Sequence, residues 1–282
     1  MKPSRFEYER PADLAAASAL VGREDLSVKI LAGGQSLGPM LNLRLVQPDA
    51  LVDVTGIPEL TRVEQHAGAV VVGACVTHAD IEDGRVPDVT RGALPHVARG
   101  IAYRAVRNRG TIGGSLVHAD PAADWIACLA AMGAEAVIWG PQARRTVPVE
   151  HFMTGVFEAD LAPGEILEAV RIPRLSRSAR WGYCKISRKT GEMAHAIGAV
   201  LHDPDRSVFR AVIGATESLP IVFDAAHALF GEKTPAPQRG DPVAAAASRA
   251  LSAAGLTDAL SNQVHIAALK RAIGQAGIAC GQ

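Results

Sequence analysis

An α+β chain is predicted, and three features of the sequence predict it. Short apolar runs alternate with turn residues through the first two thirds of the chain. A polar segment, Arg174-Leu175-Ser176-Arg177-Ser178, follows Pro173 and reads as a linker. Beyond it come three strand-like runs and then three helical ones, the segregated order of an α+β unit.

The elements follow in order. Residues 11–20 read as a short helix with Pro11 near its first turn. Residues 28–31 form a strand that runs straight into a glycine-rich turn, residues 32–38. Residues 39–45 make one helical turn, and 51–54 a second strand ended by Thr55-Gly56. Residues 62–64 and 69–74 flank Gly68 as a hairpin. Thr77 can cap a helix that begins at His78, and a further helix is expected over 88–99. A second glycine-rich turn spans 110–116. Asp120-Pro121 has the cap-then-proline form of a helix start, which places a helix over 122–132. Strands are expected at 134–139, 145–149 and 165–172, the last after a Pro163-Gly164 turn. After the linker, strands are expected at 180–187, 194–202 and 208–215, and helices at 223–230, 243–253 and 263–276; residues 231–242, with three prolines, form a loop.

Composition narrows the function. At 48% hydrophobic and 21% charged, 282 residues can bury a core, and with 4% aromatics that core is aliphatic. Lysine plus arginine total 29, as do aspartate plus glutamate, a balance that argues against nucleic acid or an acidic membrane as partner. The apolar runs at 68–76 and 126–134 fall far short of the roughly 20 residues that a transmembrane helix needs. The first residues, MKPSRFEYERP, lack the apolar stretch of a signal peptide, so the cytoplasm is the expected compartment. Cys75, Cys128, Cys184 and Cys280 lie far apart with no CxxC pair, and the nine histidines show no metal spacing. Reduced, mostly buried thiols and no resident metal are expected.

The two glycine turns carry the chemistry. Glycine lets a backbone approach a ligand closely, and successive N–H groups can converge on an anion. Neither turn is GxGxxG, and no GxxxxGK[ST] occurs, so Rossmann and P-loop readings are excluded. Each turn carries hydroxyls, Ser36 in one and Thr111 and Ser115 in the other, and two adjacent phosphates fit between them. A Cβ on Gly114 would then fill the space of a phosphate.

The string KILAGGQSLGPMLNLRL (29–45), followed by RNRGTIGGSLVHADPAADW (107–125), resembles the FAD-binding medium subunit of the molybdenum hydroxylases, the family of the carbon monoxide dehydrogenase medium subunit and the xanthine dehydrogenase flavin domain. Tyr183 to Lys189, YCKISRK, resembles the opening of that family's C-terminal domain. The resemblance implies a PCMH-type FAD-binding fold: subdomains at 1–56 and 57–175, then a C-terminal domain at 179–282 with a three-stranded antiparallel sheet and helices. It implies non-covalent FAD, with the pyrophosphate wrapped by Ala32, Gly33, Gly34, Gln35, Ser36 and Leu37 on one side and by Thr111, Gly113, Gly114 and Ser115 on the other. Asp124 would bind the flavin's polar chain, with Ser115 and Asp120 as candidates for the same network. Leu167 would cover the adenine or the ring through its backbone, and Lys185 would contact the isoalloxazine edge. Tyr103 stands where the family often has histidine, near the second turn and so near the ring. Gly38 and Asn42 are further departures, and the C-terminal domain diverges most.

Each site residue also has a plainer reading from the residues alone. Asp120 can be a helix cap, Asp124 a solvated helix residue and Lys185 a surface lysine; Arg107 and Arg109 can hold carboxylates inside the fold, and His118 can be structural. With no cluster or pterin motif of its own, the chain would depend, as the resemblance implies, on a large molybdenum-cofactor subunit and a small [2Fe–2S] subunit in a dimer of heterotrimers. Electrons would pass from the clusters through FAD to an external acceptor, with no general acid–base catalyst in this chain. Two alternatives stay open: a stand-alone flavin oxidase of the same fold, and a non-catalytic nucleotide-binding assembly module.

Overall fold

The computed structural model describes residues 2–230 and 241–278. Cys280 and most of the loop expected at 231–242 lie outside the described residues; Asp241 and Pro242 belong instead to a helix start.

The first sheet is built from β1 (Glu7–Glu9), β2 (Val28–Leu31) and β3 (Ala50–Asp53), in the order β1-β3-β2 with both pairings parallel. Helices α1 (Leu14–Val21) and α2 (Leu37–Asn42) join these strands. β3 is buried along its whole length, as expected of a central parallel strand. β1 has no apolar pattern; pairing with β3 and a hydrogen bond from the Tyr8 hydroxyl to Asp53 hold it. α1 starts at Leu14 rather than at residue 11, because Asp13 is the residue whose carboxylate takes the amide of Ala16, at 2.8 Å.

The chain then makes α3 (Pro58–Thr61), β4 (Val63–Gln65), β5 (Ala69–Gly73), α4 (His78–Glu82), α5 (Ala93–Gly100), α6 (Arg104–Arg107), α7 (Ile112–His118) and α8 (Asp124–Met132). β6 (Glu135–Trp139), β7 (Arg144–Pro148), α9 (Val149–Phe152), a small hairpin of β8 (Met153–Gly155) and β9 (Glu158–Ala159), and β10 (Ile166–Pro173) follow. Strands β4-β5-β10-β6-β7 form an antiparallel sheet in that order. The expected hairpin and the Thr77 cap are present, the latter as a reciprocal capping box with Asp80. Two helices start later than expected. Asp88 binds the amides of Thr90 and Gly92 and holds 88–92 as a loop, so α5 begins at Ala93. Asp120 takes the amide of Ala122 within a turn that follows a left-handed Ala119, so α8 begins at Asp124.

The last sheet runs β11 (Arg180–Ile186), β12 (Ala196–Asp203), β13 (Val208–Gly214) and β14 (Ile221–Phe223), all antiparallel. Among the described residues it has four strands rather than three. Residues 221–223 pair with β13, and the helix expected at 223–230 contracts to a 3-10 turn at Ala226–Phe230. Helices α10 (Pro242–Ala253) and α11 (Ala259–Gln275) complete this part, with α11 packed on β11 and β12. The segment 174–178 is stitched on both sides: the Leu175 amide donates to the Val89 carbonyl, and the Ser176 amide to Asp203.

α8 is the centre of the core. All nine of its residues are buried, and it packs against β10 on one side and β12 and β13 on another. Cys75, Cys128 and Cys184 are free, buried thiols. Among the described residues no helix is long and apolar enough to cross a membrane, and no group of three or more His, Cys, Asp or Glu converges as a metal site.

Candidate functional site

β2 delivers the first glycine turn, and the Leu31 carbonyl accepts the Val54 amide to fix its base. Gly34 takes a left-handed φ of 70°, which turns the chain into α2. Gln35 and Ser36 are exposed, and the Gln35 side-chain amide donates to the Gly33 carbonyl at 3.2 Å. Among the described residues, no hydrogen bond is donated by the amides of Gly33, Gly34, Gln35 or Ser36. Four consecutive N–H groups at one turn make an anion-binding nest.

The second turn differs from the expectation. Its amides are already engaged: Ile112 donates to the Val76 carbonyl, Gly113 to the Ala74 carbonyl and Ser115 to the Thr111 carbonyl. Gly114 donates to the Thr111 hydroxyl at 3.0 Å, which caps α7. Wrapping of a diphosphate by the main-chain donors of 112–115 is therefore corrected: beyond the Thr111 amide, what this turn offers is hydroxyls and a close-fitting wall. The reason given for Gly114 is corrected too. A Cβ there would meet the Thr111 hydroxyl at 2.7 Å, so the protein itself fills that space. Gly113 is tighter still, with a Cβ only 2.4 Å from that of Ala74.

The two turns touch. A Cβ on Gly33 would lie 2.1 Å from the Arg109 carbonyl oxygen and 2.8 Å from the Gly110 Cα, and one on Gly114 would be 3.8 Å from the Ala32 Cβ. Residues 76 to 82 positions apart in the chain thus share one crevice, with free amides on one wall and the Thr111 and Ser115 positions on the other.

The remaining site residues fall into three places. Asp124, at the start of α8, is 5% exposed. Its Oδ1 accepts the Tyr183 hydroxyl at 2.7 Å and its Oδ2 the Lys185 ammonium at 2.9 Å. It is neither solvated nor free to serve a ligand alone, and Lys185 is no surface lysine. Burial pushes the Asp124 carboxyl up from its ordinary range, while the Lys185 charge and the two hydrogen bonds pull it back. Burial, then the Asp124 charge, raises the Tyr183 phenol well above its usual value. Next to Asp124, the Trp125 indole donates to Nδ1 of buried His78 at 3.1 Å, and burial together with the Arg107 charge takes that imidazole down to about 4. Tyr183, Trp125 and His78 were not anticipated; the spacing of Tyr183 and Lys185, two apart on one strand, was the available signal.

Tyr103 is 61% exposed and lies beside Gly191, where a Cβ would come 3.0 Å from its ring. Asp120 lines a cleft of about 690 Å³ with Ile186, Arg188, His195, Leu260 and His265, away from the first turn. Leu167 is a core residue of β10, 3% exposed and paired with Ile138, so only its main chain could meet a ligand. Arg107 is structural: it pairs with Glu82 at 2.7 Å and donates to the carbonyls of Ile101 and Ala102. Arg109 is exposed, and its carbonyl forms the contact with Gly33. His118 stacks on Phe157.

Residues 4–175, more than half of the chain, match the family described as the FAD binding domain in molybdopterin dehydrogenase. This chain belongs to that family. It is a family of oxidoreductase subunits, and FAD is the cofactor of the domain. Over 201 residues this member is 39% identical to the carbon monoxide dehydrogenase medium chain of Hydrogenophaga pseudoflava, covering 71% of this chain and 70% of that one. It is 36% identical over 259 residues to the nicotine 6-hydroxylase medium subunit of Paenarthrobacter nicotinovorans, covering 89% of each. Its structure superimposes, with a TM-score of 0.85 and 33% identity over all of both chains, on one from Hydrogenophaga pseudoflava carbon monoxide dehydrogenase lacking the Mo-pyranopterin moiety of the molybdenum cofactor. The medium-chain fold therefore extends past residue 175 through the C-terminal sheet and helices.

Proposed function

We propose that this chain is the FAD-binding, electron-transferring subunit of a heteromeric molybdenum hydroxylase or dehydrogenase. It takes electrons from the [2Fe–2S] clusters of a small partner subunit and passes them to an external acceptor, while a large subunit oxidises the substrate at its molybdenum cofactor. The assembly we propose is a cytoplasmic dimer of heterotrimers, and the chain divides at 1–56, 57–175 and 179–282. The observation that carries the FAD half of this reading is the contact of the two glycine turns beside four free amides. The partner half draws support from relatives that are themselves medium chains or subunits.

FAD, when bound, supplies the ability to take up and give back electrons singly or in pairs. Everything else is done by residues of this chain. Gly33, Gly34, Gln35 and Ser36 bind the pyrophosphate by amides, with Ala32 and Leu37 shaping the turn. Thr111 and Ser115 offer hydroxyls from the facing wall, and Gly113 and Gly114 let that wall come close. Lys185, held by Asp124, presents positive charge where the reduced ring is negative. Tyr103, Asp120 and the main chain of Leu167 border the remaining surface.

The test is in two arms. The purified chain should take up FAD with a change in flavin fluorescence and release it intact on denaturation; a folded chain that takes none defeats the reading, and tight ADP binding without flavin preference favours an assembly module. Material co-purified from the native host should carry molybdenum and iron. Flavin with neither metal, together with substrate-dependent bleaching of the isolated chain, favours a stand-alone oxidase.

A further inference from the structure

We propose that Tyr183 is a positioning residue: through Asp124 it holds the Lys185 ammonium in place and so sets the charge that the bound flavin meets. In naming the flavin this rests on the FAD reading above; the hydrogen-bonded chain of three side chains stands without it.

Tyr183 and Lys185 are two apart on β11, so both point to the same face of the strand. Asp124 enters that face from the first position of α8. One carboxylate oxygen takes the phenol at 2.7 Å and the other the ammonium at 2.9 Å, so the carboxylate bridges the two. The ammonium also lies 3.4 Å from the Gly100 carbonyl. An ammonium has three N–H donors, and with two directed inward the third remains for a ligand atom. Tyr183 is 7% exposed and Asp124 is 5% exposed, so their charges and dipoles are poorly screened by water.

The balance at Asp124 is local. Besides Tyr183 and Lys185, the neighbouring titratable group is Cys128, whose thiol burial pushes up to about 12, so it stays neutral. Ionisable side chains on the other elements packed against α8 are engaged elsewhere: Arg210 with Glu150, Arg171 with Glu135, and Glu168 with Arg144. On α5, His96 stacks on Trp181 and Arg99 faces Glu82; on α7, His118 stacks on Phe157. Removing the Tyr183 hydroxyl leaves Oδ1 of Asp124 buried without its donor, which favours the protonated acid. A protonated Asp124 no longer compensates Lys185, and the uncompensated ammonium favours the reduced, anionic flavin.

Tyr183→Phe tests this in the full chain. In the flavin-free protein, the infrared signal of the protonated Asp124 carboxyl, identified by its loss in Asp124→Asn, should appear at a proton concentration at least tenfold lower than in the unmodified chain. In the FAD-loaded protein, the flavin midpoint potential should climb through that same pH window, and Asp124→Asn added to Tyr183→Phe should remove the climb. A carboxyl that protonates at the same pH with and without the hydroxyl overturns the proposal, as does a potential curve that superimposes on that of the unmodified protein. Should Tyr183→Phe fail to fold, Lys185→Met, which leaves the phenol in place, must raise the pH of carboxyl protonation likewise; an unmoved signal there is equally fatal. If the unmodified chain takes no flavin, the FAD reading fails, while the infrared arm still decides whether Tyr183 holds Asp124.

Discussion

Gly33 stands in backbone contact with Arg109: a Cβ on the glycine would come within 2.1 Å of the arginine's carbonyl oxygen. Both sides of this contact are main chain, so no side chain can rotate away to relieve it. Gly33→Ala should therefore push the two turns apart, weakening FAD binding at least tenfold and destabilising the fold by about 1–3 kcal/mol. Fluorescence titration and thermal unfolding measure the two effects. Unaltered flavin affinity in that variant would show that the turns need not touch.

Gly38 gives the opposite case a few residues on. Among the described residues a Cβ there meets nothing within 4 Å, and its φ lies outside the left-handed region. It sits inside α2, where glycine is the poorer helix former. Gly38→Ala should stabilise the chain by about 0.5–1 kcal/mol, read as a rise in the midpoint of chemical unfolding. A fall in that midpoint would mean that the turn needs flexibility there.

Arg107 closes a half-hidden ion pair with Glu82, the two side chains being 11% and 12% exposed, and it also satisfies two carbonyls in the loop that leads to Tyr103. Arg107→Met leaves those acceptors unpaired, whereas Arg104 still neutralises Glu82. The loss should be about 3 kcal/mol in urea unfolding. A loss below about 1 kcal/mol would place the pair among ordinary surface contacts.

His78 predicts an acid weakness. Its folded-state value is about 4, well below the ordinary 6.5, because burial and the Arg107 charge disfavour the imidazolium. The unfolded chain thus binds a proton that the folded chain refuses. The stabilising difference is intact above about pH 6.5 and is withdrawn as the pH falls toward 4, by up to about 3 kcal/mol. His78→Asn should flatten this stretch of the stability-versus-pH curve. A variant that keeps the same slope would assign the loss to other groups.

Much of the fold was legible because its signals are local. Residues 69–73 carry the β-branched run of a buried strand, Val28 and Ile30 alternate in a half-buried one, and Thr77 with Asp80 spells out a capping box. β1 was hidden because Glu-Tyr-Glu is exposed throughout and gains its strand conformation only from β3. α7 was hidden because Gly113 and Gly114 are poor helix formers; tertiary contact with Ala74 and Ala32, which no local pattern encodes, selects them. The two glycine turns were legible as turns and as a pair. Which of them keeps its amides free was not, since that depends on Ala74 and Val76, carbonyls from a distant loop. Asp124 is expected to bind the flavin's polar chain, and its plainer reading as a solvated helix residue fails: it opens the apolar run Asp-Trp-Ile-Ala-Cys-Leu-Ala-Ala-Met, an acid that begins such a run needs buried partners, and Tyr183 and Lys185 are those partners.

α8 has no outer side: one flank rests on β10 and another on β12 and β13. A chain cut after residue 175 would take Gly214 from beside Ala127 and Tyr183 and Lys185 from Asp124, and leave an oily furrow open to water. The stretch by which the family is recognised and the stretch able to stand by itself are thus different lengths of polypeptide, and shuffling the C-terminal part between relatives would mean rewriting this helix as well.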